Sequence, residues 1–283
     1  MSDLHRDPNK ILRSHALGAR KRYGQNFLID ENILKKIADS APIDEETLVV
    51  EIGPGLGALT RYLLNRAKAV LAYEIDQGLV KLLKKHFTQN HFYLIHDDVL
   101  NRDIDQDIAT LNQSFKHVVL VANLPYYITT PVLMQCLEKT ESLSHLSVLM
   151  QHEVAKRITA KPSTKAYNAL SVAVAYRANA HYAFKVPASV FVPAPNVDSA
   201  LVTLQFRQPK QIPKHEPFFF ELVRAAFKQR RKTLLNNLSA FTSLSKAEIS
   251  ERLTRIDIEP SARAETLNLE TFIRLADAFN NHQ

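Results

Sequence analysis

Gly53, Gly55 and Gly57 fall within five residues and are half of all the glycines in a chain of 283 residues. They follow Val49-Val50-Glu51-Ile52 and lead into Ala58-Leu59-Thr60-Arg61-Tyr62-Leu63-Leu64, whose apolar positions recur at helical spacing. That order reads as a buried strand, a tight turn and a helix start. Glycine permits φ > 0 and lets a ligand come close to the backbone. A helix N-terminus offers unpaired N–H groups to a negative group. The stretch therefore points to a nucleotide-like cofactor. Gly53, Gly55 and Ala58 satisfy the loose dinucleotide pattern, and Glu74 lies about 20 residues on, where a carboxylate holds ribose hydroxyls. S-adenosylmethionine carries the same ribose, so the turn alone does not choose between the two cofactors.

Three other strand ends do. Glu51 closes the strand before the glycines. A second carboxylate there would meet a pyrophosphate with like charge, but suits a cofactor bearing an ammonium and a sulfonium. Asp98 closes a later strand, where it can accept a hydrogen bond from an adenine amine; its neighbour Asp97 reads as a solvated loop acid. The third end is Asn123-Leu124-Pro125-Tyr126. Taken alone it would be an ordinary turn. Beside the other ends it fits an adenine N6 amine as methyl acceptor. That nitrogen's lone pair is delocalised into the ring, and two acceptors bonding its N–H groups favour a pyramidal nucleophile. The Asn123 side-chain oxygen and the Leu124 carbonyl are candidates for those acceptors. Pro125 stiffens the turn, and Tyr126 offers a face on which a base stacks, worth about 1–3 kcal/mol. Catalysis of this kind is positioning and electrostatics, with no strong base required.

The elements that must hold these residues alternate. Strands are expected at 47–52, 69–74, 91–95, 117–122 and 146–150, with helices near 57–66, 79–83 and 132–137. Near-uniformly apolar strands spaced by helices imply a parallel sheet covered on both faces, whose strand ends face one crevice. Leu170–Tyr176 and Ser199–Phe206 read as two late strands forming an antiparallel edge. After the linker Gln208–Lys214 the pattern is only helical, over 218–227, 232–238, 246–253 and 269–279. The expected fold is α/β: a Rossmann-like S-adenosylmethionine-dependent methyltransferase sheet with a small C-terminal all-helical domain. The expected divisions are a basic tail at 1–22, the methyltransferase domain at 23–208 and a helical RNA-binding domain at 214–283.

On these motifs the chain resembles the rRNA adenine N6,N6-dimethyltransferases, specifically the small-subunit (KsgA) type. The likeness runs from about residue 20 to 240 through Lys21–Leu28, Glu51–Gly57, Asn123–Pro131, Met150–Val154, Phe191–Ala200 and Ala226–Leu234. It implies dimethylation of two adjacent adenines near the 3′ end of 16S rRNA, in the small ribosomal subunit or its precursor, during ribosome biogenesis. It implies that Asn26, Leu28, Gly53, Glu74, Asp98 and Asn123 hold S-adenosylmethionine, and that Phe191 sandwiches the target base opposite Tyr126. Two positions depart from the family pattern. Asn168 replaces a glycine, and asparagine tolerates the left-handed conformation. Asn196 replaces a commoner lysine, which is expected to remove one phosphate contact.

The charge is distributed as an RNA partner requires. The net charge is +7, with six basic residues in 1–22 and eight in 207–232 against two acids in each. Arg230, Arg231 and Lys232 are expected to open a helix and contact phosphates; a solvated helix face is the alternative. A single cysteine, Cys136, excludes internal disulfides and thiolate zinc sites. The eleven histidines lack metal-ligand spacing, so no metal is expected. No apolar stretch suits a membrane span or a signal core. A cytoplasmic monomer is expected. The competing readings are a 23S rRNA adenine N6-methyltransferase, a ribosome-assembly binding factor and a nicotinamide oxidoreductase. The last lacks a recognisable hydride-transfer constellation.

Overall fold

The computed structural model describes residues 25–280. The basic tail 1–22, and Lys21–Gly24 of the first motif, lie outside the described residues. The chain packs as two units: the residues up to Ala155 together with Ala180–Phe206, and Lys156–Asn179 together with the residues from Arg207 onward.

The first unit opens with β1 (Phe27–Leu28) and α1 (Glu31–Asp39), then β2 (Thr47–Ile52), α2 (Thr60–Leu64), β3 (Ala69–Tyr73), α3 (Gln77–His86) and β4 (Phe92–Ile95). It continues through α4 (Ile104–Thr110), β5 (His117–Asn123), α5 (Thr129–Lys139) and β6 (Leu143–Gln151). Helix α6 (His152–Ile158) crosses the boundary, and α7 (Ala169–Arg177) follows. Then come β7 (Ala178–Val186), β8 (Phe191–Val192) and β9 (Ser199–Phe206).

Every residue of β2 and β3 is buried, as expected of strands covered on both faces. The seven-stranded sheet has the order β4-β3-β2-β5-β6-β9-β7. Its first five strands are parallel, and β9 runs antiparallel to β6. The order reverses between β2 and β5, which makes that crevice the ligand-binding switch point. Register aligns the strand ends: Ile52 pairs with Tyr73 and Tyr73 with Ile95, so three loops leave from one edge. Ser199 enters at the same edge, because it pairs with Gln151 at the end of β6. Val49, Val70, Val119, Val121 and Leu149 form one apolar layer with Leu34 and Ile37 of α1 and Leu63 of α2. Burial of each such side chain stabilises the sheet by ~1.5–3 kcal/mol. A separate two-stranded sheet pairs β1 with β8 antiparallel, Leu28 opposite Phe191.

Three expectations are corrected here. Leu170–Tyr176 lies in helix α7, not a strand. Its residues are almost all apolar and buried, so the sequence carries no period to tell the two apart. Asn168 is not left-handed: at φ −160° it is the N-cap of α7, its side chain accepting from Leu170 and Ser171 N–H while the Ser171 hydroxyl accepts from Asn168 N–H. Residues 156–179 interrupt the expected span 23–208, because Tyr176 packs on Phe219 and Phe220 at ring distances of 4.9 and 5.7 Å. Those two rings belong to α8 (Glu216–Ala226), and the second unit adds α9 (Leu234–Ser239), α10 (Lys246–Arg255) and α11 (Leu269–Phe279). Among the described residues no helix is long and apolar enough to cross a membrane.

Candidate active site

The three glycines adopt φ of +66°, +60° and +80°. At Gly57 a Cβ would lie 2.3 Å from the Phe87 ring, so the loop is glycine there for close packing as well as for conformation. Helix α2 starts at Thr60, three residues later than expected. The N–H groups of the three glycines are occupied by the chain itself. Gly53 donates to the Tyr73 carbonyl at 2.9 Å, Gly55 to Glu74 Oε2 at 3.2 Å and Gly57 to the Pro54 carbonyl at 2.8 Å. The glycine N–H groups therefore do not form an anion cradle, and one of them already binds a carboxylate.

Two buried carboxyl groups dominate the electrostatics. Glu51 is 1% exposed and accepts the Thr60 hydroxyl at 2.7 Å. Burial pushes its pKa up to about 8, Thr60 opposing and the charge of Glu74 adding to the rise. Glu74 is 5% exposed and accepts the N–H groups of Asp76 at 2.9 Å and Gly55. Burial raises it to about 7, against those hydrogen bonds. Among the described residues no Lys or Arg pairs with either. Buried carboxylates without a cation are costly, and a cationic ligand relieves that cost where a pyrophosphate would increase it. Beside them Ile75, 36% exposed, gives the cavity an apolar wall. Asp98 caps a short turn through Oδ1, which accepts Leu100 N–H at 3.0 Å. Asp97, expected to be a solvated acid, accepts Asp98 N–H and lies 3.7 Å from Arg102. An apolar wall next to a carboxylate acceptor suits an adenine, Glu74 suits the ribose hydroxyls, and the buried Glu51 suits the ammonium and sulfonium end. The residues present fit S-adenosylmethionine.

The Asn123 turn meets the glycine loop where Pro125 Cδ lies 3.7 Å from the Cβ position of Gly53. Asn123 Nδ2 donates to the Asn26 carbonyl at 3.2 Å. A carbonyl only accepts, so the amide nitrogen must face it and Oδ1 is left as the acceptor for a ligand. Leu124 N–H donates to the Leu149 carbonyl at 3.3 Å, and the Pro125 carbonyl accepts Ile128 N–H at 3.2 Å and the Thr129 hydroxyl at 3.2 Å. Tyr126 is half-buried, with its hydroxyl 2.9 Å from Ser199 Oγ. Phe191 is 3% exposed and packs with Leu28, Leu34 and Ile37 while contributing to the cavity wall.

One cavity is thus lined by Asn26, Leu28, Gly53, Glu74, Asp98, Asn123, Leu124, Tyr126 and Phe191. Arg230, Arg231 and Lys232 lie in the second unit. They do not open a helix: they occupy the turn between α8 and α9, whose cap is Thr233. Arg230 pairs with Glu265 at 3.0 Å, while Arg231 and Lys232 are exposed. Sequence reasoning missed Thr60, Ser199 and the Asn26 carbonyl. Thr60 and Ser199 carry a faint signal, a hydroxyl within an apolar run; a backbone carbonyl carries none.

Fold and site together define a doubly wound, S-adenosylmethionine-dependent methyltransferase. Residues 16–281 match the ribosomal RNA adenine dimethylase family. The chain is 46% identical over 271 residues to ribosomal RNA small subunit methyltransferase A of Lactococcus lactis subsp. lactis (strain IL1403), covering 95% of this chain and 92% of that protein. It is 45% identical over 282 residues to the protein of the same name from Enterococcus faecalis (strain ATCC 700802 / V583), covering 97% and 95%. Among solved structures, a dimethyladenosine transferase from Plasmodium falciparum superposes with a TM-score of 0.72 at 25% identity, covering 90% of this chain and 98% of that one. The 23S rRNA methyltransferase ErmE superposes with a TM-score of 0.62 at 25% identity, covering 90% and 100%. The chain belongs to the ribosomal RNA adenine dimethylase family. It is an enzyme that transfers methyl groups from S-adenosylmethionine to adenines of ribosomal RNA.

Proposed function

We propose that this enzyme dimethylates N6 of two adjacent adenines near the 3′ end of 16S rRNA, on the small subunit or its precursor, as a cytoplasmic monomer. The small-subunit reading is supported by 46% identity to a small-subunit methyltransferase over 95% of the chain, against 25% to ErmE. The likeness to ErmE favours a second reading, a large-subunit substrate, and the two separate when both rRNAs are offered.

The chemistry rests on the orientation of Asn123. S-adenosylmethionine, when bound, supplies an electrophilic methyl on a sulfonium. Asn123 Oδ1 and the Leu124 carbonyl accept the two N–H groups of the target amine, drawing its lone pair out of the ring and toward that methyl. As the nitrogen gains charge, both hydrogen bonds strengthen, so they stabilise the transition state more than the ground state. Tyr126 holds the base by stacking, and Phe191 closes the apolar side of the pocket. Glu51, Glu74 and Asp98 hold the cofactor, and Asn26 keeps Asn123 turned. Arg231 and Lys232 bind phosphates of the RNA. The test is Asn123→Ala. Methyl transfer falls by about 10²–10³ while calorimetry still detects S-adenosylhomocysteine binding. Near-normal turnover in that variant would refute the assignment.

A further inference from the structure

Ser199 is the first residue of an otherwise apolar strand start, Ser199-Ala200-Leu201-Val202, and is 1% exposed. A buried hydroxyl needs a partner. Here it is the Tyr126 hydroxyl, at 2.9 Å, with either group able to donate. The two ends of this bond stand on different elements. Ser199 stands on the sheet, in register with Gln151. The preceding residue is fixed on both sides: the Asp198 carbonyl accepts His152 N–H at 3.0 Å, and its carboxylate accepts Ala188 N–H at 3.0 Å and pairs with Lys185 at 2.7 Å. Tyr126 instead sits in the turn between β5 and α5. A stacking platform needs only a ring, and phenylalanine would stack as well. The hydroxyl adds one constraint, a pin at the far end of the ring.

We propose that Ser199 is a positioning residue for methyl transfer: it pins the Tyr126 ring to the sheet, so that a base stacked there meets the Asn123 acceptors at a fixed tilt. This rests on the reading of Tyr126 as the platform for the target base. The two transfers differ in their dependence on the pin. In the first, the amine has two N–H groups for two acceptors. After it, the methyl's bond to the sulfonium has broken to leave S-adenosylhomocysteine, the acidified nitrogen has lost one proton to water, one hydrogen bond is gone, and alignment depends more on stacking. Loosening the ring therefore slows the second transfer more than the first and releases N6-methyladenosine.

The experiment measures both transfers by mass analysis of nucleosides for the wild type, Ser199→Ala, Tyr126→Phe and the double variant. Each single change slows the second transfer by about five- to tenfold, the effect of one lost hydrogen bond. In Ser199→Ala the first transfer stays within about twofold and S-adenosylhomocysteine affinity is unchanged; in Tyr126→Phe the second transfer falls more than the first, and the double variant is no worse than either single. Should Ser199→Ala fail to fold, Tyr126→Phe removes the same bond from the turn side and carries the test. A wild-type ratio of mono- to dimethylated product in a folded single variant, or additive losses in the double, would overturn the pin. Tyr126→Ala is the separate control: full activity there would overturn the base-platform reading itself.

Discussion

Glu51 and Glu74 make cofactor binding pH-dependent in a direction that identifies the cofactor's charge. Both pKa values stand above the ordinary 4.5, at about 8 and about 7, chiefly through burial. At pH 7, with no cofactor bound, the pair therefore holds protons that ordinary carboxylates would have lost, Glu51 more than Glu74. A cationic ligand selects the ionised pair. Binding S-adenosylmethionine without RNA at pH 7 should then release protons, on the order of one, and tighten severalfold as pH rises from 7 to 8. Glu51→Gln should reduce that release and flatten the pH dependence. The assay is titration calorimetry in two buffers of different ionisation heat. Stability carries the opposite sign. The folded state binds more protons than the unfolded between about pH 4.5 and 8, so this contribution is present below that window and lost as pH rises through it. The wild type without cofactor should lose melting temperature from pH 6 to 8 faster than Glu51→Gln. Proton uptake on binding, or affinity that weakens as pH rises, would refute the reasoning; an anionic dinucleotide would give that result.

Other perturbations follow from local geometry. Gly57→Ala combines φ +80° with a 2.3 Å approach to the Phe87 ring and should destabilise by about 2–4 kcal/mol in denaturant unfolding. Asn168→Ala removes the capping box of α7 and should cost about 1 kcal/mol, whereas Asn168→Gly should cost only a few tenths. A combined Arg231→Ala and Lys232→Ala change should weaken RNA binding and reduce the slope of log affinity against log salt by about two; an unchanged slope would remove these residues from the phosphate contacts.

The legible residues of the site lie at or just beyond the ends of strands. Glu51, Glu74 and Asn123 each interrupt an apolar run, Asp98 follows one by three residues, and a parallel sheet brings such strand ends to one edge. What depends on pairing distant segments was hidden. The β1–β8 contact joins Leu28 to Phe191 through two residues on each side, too short for a pattern. The bond from Asn123 to Asn26 uses a backbone carbonyl, which every residue has. Helix α7 was misread because burial all round erases periodicity; the one available cue was Asn168 followed three residues later by Ser171, a cap whose geometry only the structure supplies. The glycine loop was legible as a turn but not as an occupied one, since its donors close on Glu74 and the chain's own carbonyls.

The most direct measurement incubates unmethylated small-subunit particles and, separately, large-subunit rRNA with the protein and labelled S-adenosylmethionine, then maps the label by mass analysis. The account predicts two adjacent N6,N6-dimethyladenosines near the 3′ end of 16S rRNA and none in the large-subunit RNA. Label confined to large-subunit RNA, or no label in either, would contradict it.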